Sequence, residues 1–295
     1  MKVYQSFQLM NELQNPPIAP PVASPLMAQF LYRNQPSIDY ERLTEAVEKY
    51  VGRVDPRLKA DRAEGVGHFV MIDSLAEFTE GFLPTQMCLL PCAEPPKSEI
   101  FQDALRQTWG WNDARTIVEA CSFMLVVTDL MASPLDRHIR DKQFRGFMKA
   151  VQETIPADAI HRINSQVILN PSEFLRLQEG DRAAQMEGSI NIRLFRIEGA
   201  DNECLMDTMG LSVFGLPDVQ CHFRTLECSL VSNKLFNIAL YLFEHGDVIE
   251  DGHTVPGLRD AEKWRCQHES ALVGPERIVL DLNPGPPYAA GGRMQ

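Results

Sequence analysis

The sequence lacks the short motifs by which several common enzyme classes are recognised. None of the patterns Gly-x-Ser-x-Gly, His-Glu-x-x-His or Gly-x4-Gly-Lys-Ser/Thr occurs among the 295 residues, which argues against a nucleophile elbow, a zincin helix or a P-loop. Apolar runs of the length that a bilayer-spanning helix needs, about 18 residues, are missing as well. The first residues have no continuous apolar core of the signal-peptide type, because Gln5, Ser6, Gln8, Asn11 and Glu12 interrupt it. We therefore expect a cytoplasmic protein that does not bind membranes.

Positive charge is scarce. Lys and Arg number 28 against 40 Asp and Glu, which gives a net charge of -12 and a pI of about 5.1. Nucleic-acid binding needs clustered Lys and Arg against phosphates, so we expect no nucleic-acid partner. An acidic surface either keeps the chain soluble or attracts a basic partner.

The cysteines form no zinc-knuckle pair and no disulfide framework. There are seven, an odd number, and most stand among apolar neighbours, as expected of buried reduced thiols. Cys221-His222 and Cys266-x-His268 are the best metal candidates. Adjacent strand residues point to opposite faces, so Cys221 and His222 cannot both ligate one ion from a regular strand. We expect no metal and no cofactor.

Hydrophobic periodicity predicts an α+β protein, with a mainly antiparallel sheet and helices packed on one side. Strands are expected at 68–73, 85–91, 122–130, 161–169 and 190–199, the last with Asn191, Arg193 and Arg196 on a solvated face. Helices are expected at 40–51, 99–121, 136–155 and 226–245, with a break at Gly110 as the alternative for the second of them. A hairpin is expected around Val273-Gly274-Pro275.

The domain prediction follows from composition. Residues 1–24 are a proline-rich lead-in, 25–285 a single α+β domain and 286–295 a flexible tail rich in Pro and Gly. The alternative is an internal division near 156–160, after a helix that Pro156 ends.

Polar candidates for a functional site cluster after the helix at 226–245. Asp247, Glu250, Asp251 and His253 share one short loop. Carboxylates beside an imidazole can bind a metal or act as an acid/base pair. The competing interpretation, which we favour, is a solvated turn in which Gly246 ends the helix and Asp251-Gly252 turns the chain.

Two further features complete the candidate binding residues. Trp109 and Trp111 flank Gly110, and such a pair either anchors a partner or closes a core. Asp218 follows Pro217 at the start of an apolar run, within a stretch marked by Gly210 and Gly215. No lysine follows these glycines, so a phosphate cradle is not indicated.

The motif Thr-x-Gly-Leu-x-x-Phe-Gly runs from Thr208 to Gly215, and Asp218 follows it. Together with segments around Ala159 and Pro171, this motif resembles that of an uncharacterised bacterial family known only as a domain of unknown function. The resemblance covers about residues 100–257. An Asp at 218 after Pro217 departs from the Glu pair expected there. The matching positions are Ala159, Ile160, Pro171, Phe174, Thr208, Gly210, Leu211, Phe214, Gly215 and Asp218.

The resemblance implies a fold and assigns no catalytic residue. By analogy in size and acidity, the chain is similar to immunity proteins that neutralise toxins delivered between bacteria, as by type VI secretion. The functional expectation is thus a non-enzymatic binding protein for a basic toxin or secreted effector. The alternatives are a chaperone or adaptor of a secretion system, and a small metal-dependent hydrolase using Asp218, His222, Asp251 or His253.

Overall fold

The computed structural model describes residues 24–55, 66–200 and 202–291. The lead-in predicted for 1–24 lies almost wholly outside these residues, as does the end of the predicted tail. Across the described parts, twelve β-strands and seven α-helices alternate irregularly along the chain. This confirms the α+β class. No helix in these parts has both the length and the apolar character that a bilayer crossing requires.

The first sheet contains six strands, all antiparallel, in the order β2-β3-β4-β1-β5-β6. Strand β3 is an interior strand, as its almost wholly apolar sequence predicts. The long β2–β3 hairpin has an irregular register between Met71 and Leu75. The strands are β1 (Met27–Tyr32), β2 (Gly67–Phe78), β3 (Gly81–Pro91), β4 (Phe123–Leu130), β5 (Ala159–Arg162) and β6 (Val167–Leu169).

The helices that accompany this sheet include α1 (Tyr40–Tyr50), α2 (Gln102–Arg106), α3 (Ala114–Ala120) and α4 (Arg137–Thr154). Asp39 and Asp136 cap the first turns of α1 and α4 through backbone N–H groups, as N-cap carboxylates do. These two helices bury Leu43, Val47 and Val151, among others, against one face of the sheet. The short helices α2 and α3 cover part of the opposite face around Leu31.

The second sheet has the order β10-β11-β12-β9-β8-β7, with one parallel pair, β9 and β12. The predicted hairpin is confirmed as β11 and β12. The remaining elements are α5 (Pro171–Gln178), α6 (Arg182–Met186), β7 (Asn191–Arg196), β8 (Glu203–Met209), β9 (Asp218–Arg224), α7 (Cys228–His245), β10 (Thr254–Pro256), β11 (Lys263–Ser270) and β12 (Ile278–Asn283).

Helix α7 covers one face of this sheet, and a charged network fills the other. Val219, Cys221 and Phe223 of β9 belong to the apolar cluster beneath α7. The alternate residues, such as Asp218 and Gln220, are also fully buried. The expectation of a solvated polar face on β7 is therefore wrong for its first half. Arg193 is buried in an ion pair with Asp207 at 2.6 Å, and buried Asn191 donates to the Gln166 carbonyl at 3.1 Å. Arg196 is exposed as expected.

A 3₁₀ turn at Ser212–Phe214 links the two sheets through their cores. Val213 is buried within the core of the first sheet, and Phe214 packs against both cores. Arg140 of α4, itself paired with Asp129 at 2.7 Å, donates to the Val213 carbonyl at 3.1 Å. The turn therefore joins the two layers by both apolar and polar contacts.

Three element predictions need correction. The helix expected over 99–121 is a 3₁₀ turn followed by α2 and α3, and the alternative of a break at Gly110 is the one observed, since Gly110 has a positive φ of 79°. The strand expected over 161–169 is the β5–β6 hairpin, turned by Gln166 at φ 51°. Residues 286–291, expected in a flexible tail, are fixed by tertiary contact: the Arg224 N–H donates to the Tyr288 carbonyl at 2.8 Å, and Ala290 is fully buried.

The predicted division near 156–160 does not coincide with the boundary between the sheets. Strand β5 begins at Ala159 and pairs with β1 inside the first sheet. The change of sheet occurs later, between β6 and β7. The single domain over 25–285 stays a prediction.

Candidate functional site

Helix α7 presents a polar and aromatic face on the outside of the second sheet. Its apolar stripe, which includes Leu235, Ala239 and Leu242, is buried against the sheet. Because a helix repeats every 3.6 residues, the positions between these stripe residues turn outward. Asn237 is exposed and Tyr241 is 46% exposed there. This face is available for contact with another molecule.

The loop after α7 is held by hydrogen bonds to strand β11. Gly246, at φ 88°, ends the helix. The Gly252 N–H donates to the Cys266 carbonyl at 2.8 Å, and the Cys266 N–H donates to the His253 carbonyl at 2.8 Å. These hydrogen bonds give the loop a defined conformation, so its carboxylates have defined positions.

His268 lies between two of the predicted carboxylates. Its Nδ1 is 2.8 Å from Asp251 Oδ1, and its Nε2 is 3.1 Å from Asp247 Oδ1. The His268 backbone N–H also donates to Asp251 at 2.6 Å. The hydrogen bond from the His268 backbone N–H, and to a smaller extent that from the His268 ring, lowers the pKa of Asp251 and keeps this carboxylate ionised. Both ring nitrogens of His268 are thus committed to carboxylates, and the ring braces the loop.

Between this loop and α7 lies an open cavity of ≈700 Å³. Tyr241 and Lys234 contribute from the helix, while Val248, His253 and Val255 contribute from the loop and β10. Val248 is 48% exposed, so apolar area remains uncovered beside the acidic rim. The lining itself is apolar and polar and contains no carboxylate, while the carboxylates of Asp247, Glu250 and Asp251 stand on the adjoining loop. Apolar area beside carboxylates suits a side chain that carries both an aliphatic part and a positive charge.

A second, larger cavity of ≈1020 Å³ lies where the free edges of the two sheets face each other. Trp109, 62% exposed, and half-buried Trp111 line it. Beside them, Gln107 donates to the Leu194 carbonyl at 3.2 Å and accepts from the Leu194 N–H at 3.0 Å. Thr108 Oγ1 accepts from the Ile168 N–H at 3.3 Å. The tryptophan loop is therefore fastened to edge strands of both sheets.

The two cavities meet on α7. Asn237 lines both of them, and its neighbours Asn233 and Phe236 line the tryptophan cavity. Together they form one elongated surface, which we call the α7 surface: the lining of both cavities and the loop 247–253. It carries an exposed indole near one end and an exposed phenol with three carboxylates near the other.

The structure brings most of the predicted site residues onto this surface. Glu250 and His253 are exposed there, with Glu250 Oε2 3.6 Å from His253 Nε2. Asp247 and Asp251 flank His268 on the same loop. Trp109 and Trp111 lie beyond Asn237 in the neighbouring cavity. The sequence did not single out Tyr241 or Asn237, although their outward helical positions could have indicated them.

The prediction that Asp218 belongs to the contact surface is wrong. Asp218 is fully buried, because its carboxylate accepts from Arg277 Nε at 3.1 Å, from Thr208 at 3.1 Å and from the Leu211 N–H at 3.1 Å. Burial is the main effect and raises the pKa of Asp218, while the positive charge of Arg277 lowers it to a smaller extent. Asp218 therefore stabilises the turn between β8 and β9 and cannot contact a partner.

The metal and hydrolase candidates do not converge. Cys221 is buried in the core under α7, while His222, its neighbour on β9, is 2.9 Å from Glu203. Cys266 is also in that core, whereas His268 bridges two aspartates at the surface. Within the described residues, no group of three or more His, Cys, Asp or Glu is arranged to hold a metal ion.

Comparison with known proteins gives one match. Residues 207–283 match a family described as a domain of unknown function, DUF4261. The matched segment begins in β8, contains α7 and the acidic loop, and ends with β12. It overlaps the resemblance noted from the sequence but begins and ends later along the chain. No curated protein and no solved structure matches.

Proposed function

We propose that this chain is a non-enzymatic binding protein that recognises a protein partner through the α7 surface. The observation that carries the proposal is the meeting of the two cavities at Asn237, which produces one extended surface with aromatic side chains near both ends. Partner-binding energy concentrates in aromatic anchors surrounded by polar rims. Trp109 and Tyr241 suit the anchors, and Asp247, Glu250 and Asp251 suit the rim.

The charge of the rim favours a basic partner. The three carboxylates stand on one loop of a protein whose net charge is -12. Such a field accelerates the encounter with a positively charged protein and disfavours acidic competitors. We further propose that the partner is a basic toxin delivered between bacteria and that the chain acts as its immunity-type inhibitor in the cytoplasm. A chaperone or adaptor of a secretion system would use the same surface with a different partner.

The enzymatic alternative has less support. Asp218 and His222 are buried with separate partners, whereas Asp251 and His253 belong to the surface loop. An acid/base pair has to reach the same substrate atoms, but of these four side chains, all of which the structure describes, only His253 lines a cavity of the α7 surface.

The biological test is co-expression with toxins encoded next to the gene. Rescue of growth is the expected result for a cognate toxin, and the Trp109→Ala variant should lose it. A buried aromatic anchor contributes about 2 kcal/mol or more to binding. Failure to rescue cells from any neighbouring toxin would remove the immunity role, and co-purification with a secretion component instead would favour the adaptor.

The biophysical test uses charge. Glu250→Lys should slow association with the captured toxin about three- to tenfold at low salt, because steering is lost. The loss should shrink as salt is raised. Glu250 is suitable because its carboxylate does not hold His268, whereas Asp251 does. The matched control is Glu77→Lys, an exposed acid on β2 of the other sheet. Equal rates for wild type and Glu250→Lys would place the contact elsewhere.

A further inference from the structure

An open cavity of ≈370 Å³ lies between α1, α4, α5 and α6, and its lining is basic. Four of the lining side chains are Lys or Arg, and none is a carboxylate. This is unusual for a chain with 12 more acidic than basic residues. The cationic lining consists of Lys142, Arg145, Lys149 and Arg182.

Helix α4 builds one wall of this cavity. His138, Lys142, Arg145 and Lys149 recur at intervals of three and four residues, so they share one face of the helix. Gly146 lies on the same face and lets the end of α1 approach, since a Cβ there would lie 2.6 Å from the Tyr50 carbonyl oxygen. The close approach brings the Tyr50 ring to the cavity, with the Lys149 ammonium 4.7 Å from the ring centroid.

Carboxylates outside the lining neutralise three of the four cations. Asp141 accepts from Arg145 at 2.8 Å and lies 3.4 Å from Arg182. Glu244 pairs with Arg182 at 2.9 Å, and Glu179 pairs with Lys149. Lys142 is exposed and pairs with no carboxylate of the described residues. The cavity therefore has an excess positive charge that a bound anion could neutralise.

A neutral donor stands in the same wall. Arg145 Nη1 donates to Gln178 Oε1 at 2.7 Å, and a guanidinium can only donate, so this contact fixes which amide atom of Gln178 faces it. The Gln178 Nε2 therefore points away from Arg145, and no acceptor within the described parts of the chain satisfies it. An unsatisfied buried donor is unfavourable, and an oxyanion in the cavity would offer an acceptor.

We propose that this cavity binds a phosphate-class oxyanion carried by a small soluble molecule. Guanidinium forks and ammonium groups are the side chains that recognise phosphate oxygens, and here both kinds converge on one space with an amide donor. The volume exceeds that of a single phosphate and admits a diphosphate. The site shares no lining residue with the α7 surface, so it is independent of the proposed partner binding.

The test is isothermal titration of the full chain with inorganic pyrophosphate at low salt. We expect saturable binding at one site. Lys142→Ala should weaken it about tenfold, the usual effect of one lost charge-assisted hydrogen bond. Gln178→Glu should weaken it further, because it replaces a donor by a carboxylate. The matched control is Lys263→Ala, which removes the same charge from an exposed position on β11.

Three results would overturn the proposal. The first is the absence of saturable binding to the wild-type chain. The second is an equal loss of affinity in Lys142→Ala and Lys263→Ala, which would indicate unspecific charge attraction. The third is binding only to vesicles that carry phosphorylated lipid headgroups, with no response to pyrophosphate. Lys142 is exposed, so its variant should keep the wild-type circular dichroism spectrum.

Discussion

His161 shows how burial changes the chemistry of one residue. Its side chain extends from strand β5 and is buried. The ring is edge-on to Phe101 with 5.3 Å between the ring centroids, and its Nδ1 is 2.7 Å from Gln29 Oε1. Burial lowers the pKa of His161 to about 4. The folded protein therefore keeps this imidazole neutral at pH values at which an unfolded chain protonates it.

A pH-dependent stability follows from that pKa. In the unfolded chain His161 is protonated below about pH 6.5, whereas in the folded protein it stays neutral down to about pH 4. Acid therefore favours unfolding. Between pH 7 and 4.5 this linkage should lower the free energy of unfolding by about 2 to 3 kcal/mol. Urea denaturation of wild type and His161→Gln across this range measures the effect. The variant should lose less stability than wild type by about that amount.

The control for this prediction is His253→Gln, which changes an exposed imidazole on the α7 surface. It should retain the wild-type difference between pH 7 and 4.5. If His161→Gln has the same pH dependence as wild type, His161 does not control acid stability.

At the level of helices and strands, local patterns predicted much of the fold. The capped helices α1 and α4, helix α7 and the β11–β12 hairpin were predicted because their signals lie within a few residues. The buried polar face of β7 was not predicted. Alternation of apolar and polar residues identifies the two faces of a strand, but it does not show whether the polar face is covered. Here Arg193 is covered by Asp207 and Gln166, which are distant in sequence.

The same distinction holds for the candidate site. The acidic loop could be found because Asp247, Glu250, Asp251 and His253 are close in sequence. His268, which braces two of those carboxylates, is 17 residues from Asp251. The junction at Asn237 depends on how α7 sits between the tryptophan loop and β10, and only the tertiary structure places these elements together.

The turn between β8 and β9 offers a matched pair of glycines. Gly210 has φ 131°, and a Cβ there would lie 2.0 Å from the Ser189 carbonyl oxygen, whereas Gly215 has φ 73° and open space around it. Gly215→Ala should cost about 1 kcal/mol, from backbone strain alone. Gly210→Ala should cost about 3 kcal/mol or more, because strain and a backbone clash add. Thermal and urea unfolding of both variants measures the difference, and equal losses would mean that the turn can move away from Ser189.

For the whole molecule, the distribution of charge matters more than its sum. A net charge of -12 coexists with the basic cavity between α1, α4, α5 and α6. The acidic rim of the loop after α7 faces outward, while several arginines are buried in ion pairs, as in Arg140–Asp129 and Arg277–Asp207. Removing one partner of such a pair leaves an uncompensated buried charge, so these pairs tie the elements together.

The two sheets should unfold in one transition, because the Ser212–Phe214 turn inserts into the core of the first sheet while belonging to the second half of the chain. In a Trp109→Phe/Trp111→Phe background, buried Trp264 is the remaining tryptophan and reports on the core beneath α7. Val151→Ala opens a cavity in the other core and should cost about 2 kcal/mol.

If the cores are coupled, Val151→Ala moves the urea midpoint of Trp264 fluorescence by the same amount as that of circular dichroism. The exposed substitution Glu77→Gln on β2 is the control and should move neither. An unmoved Trp264 transition, or two stable fragments after limited proteolysis between β6 and β7, would show that the layers fold independently. In that case the α7 surface, which takes residues from both layers, would form only when they dock.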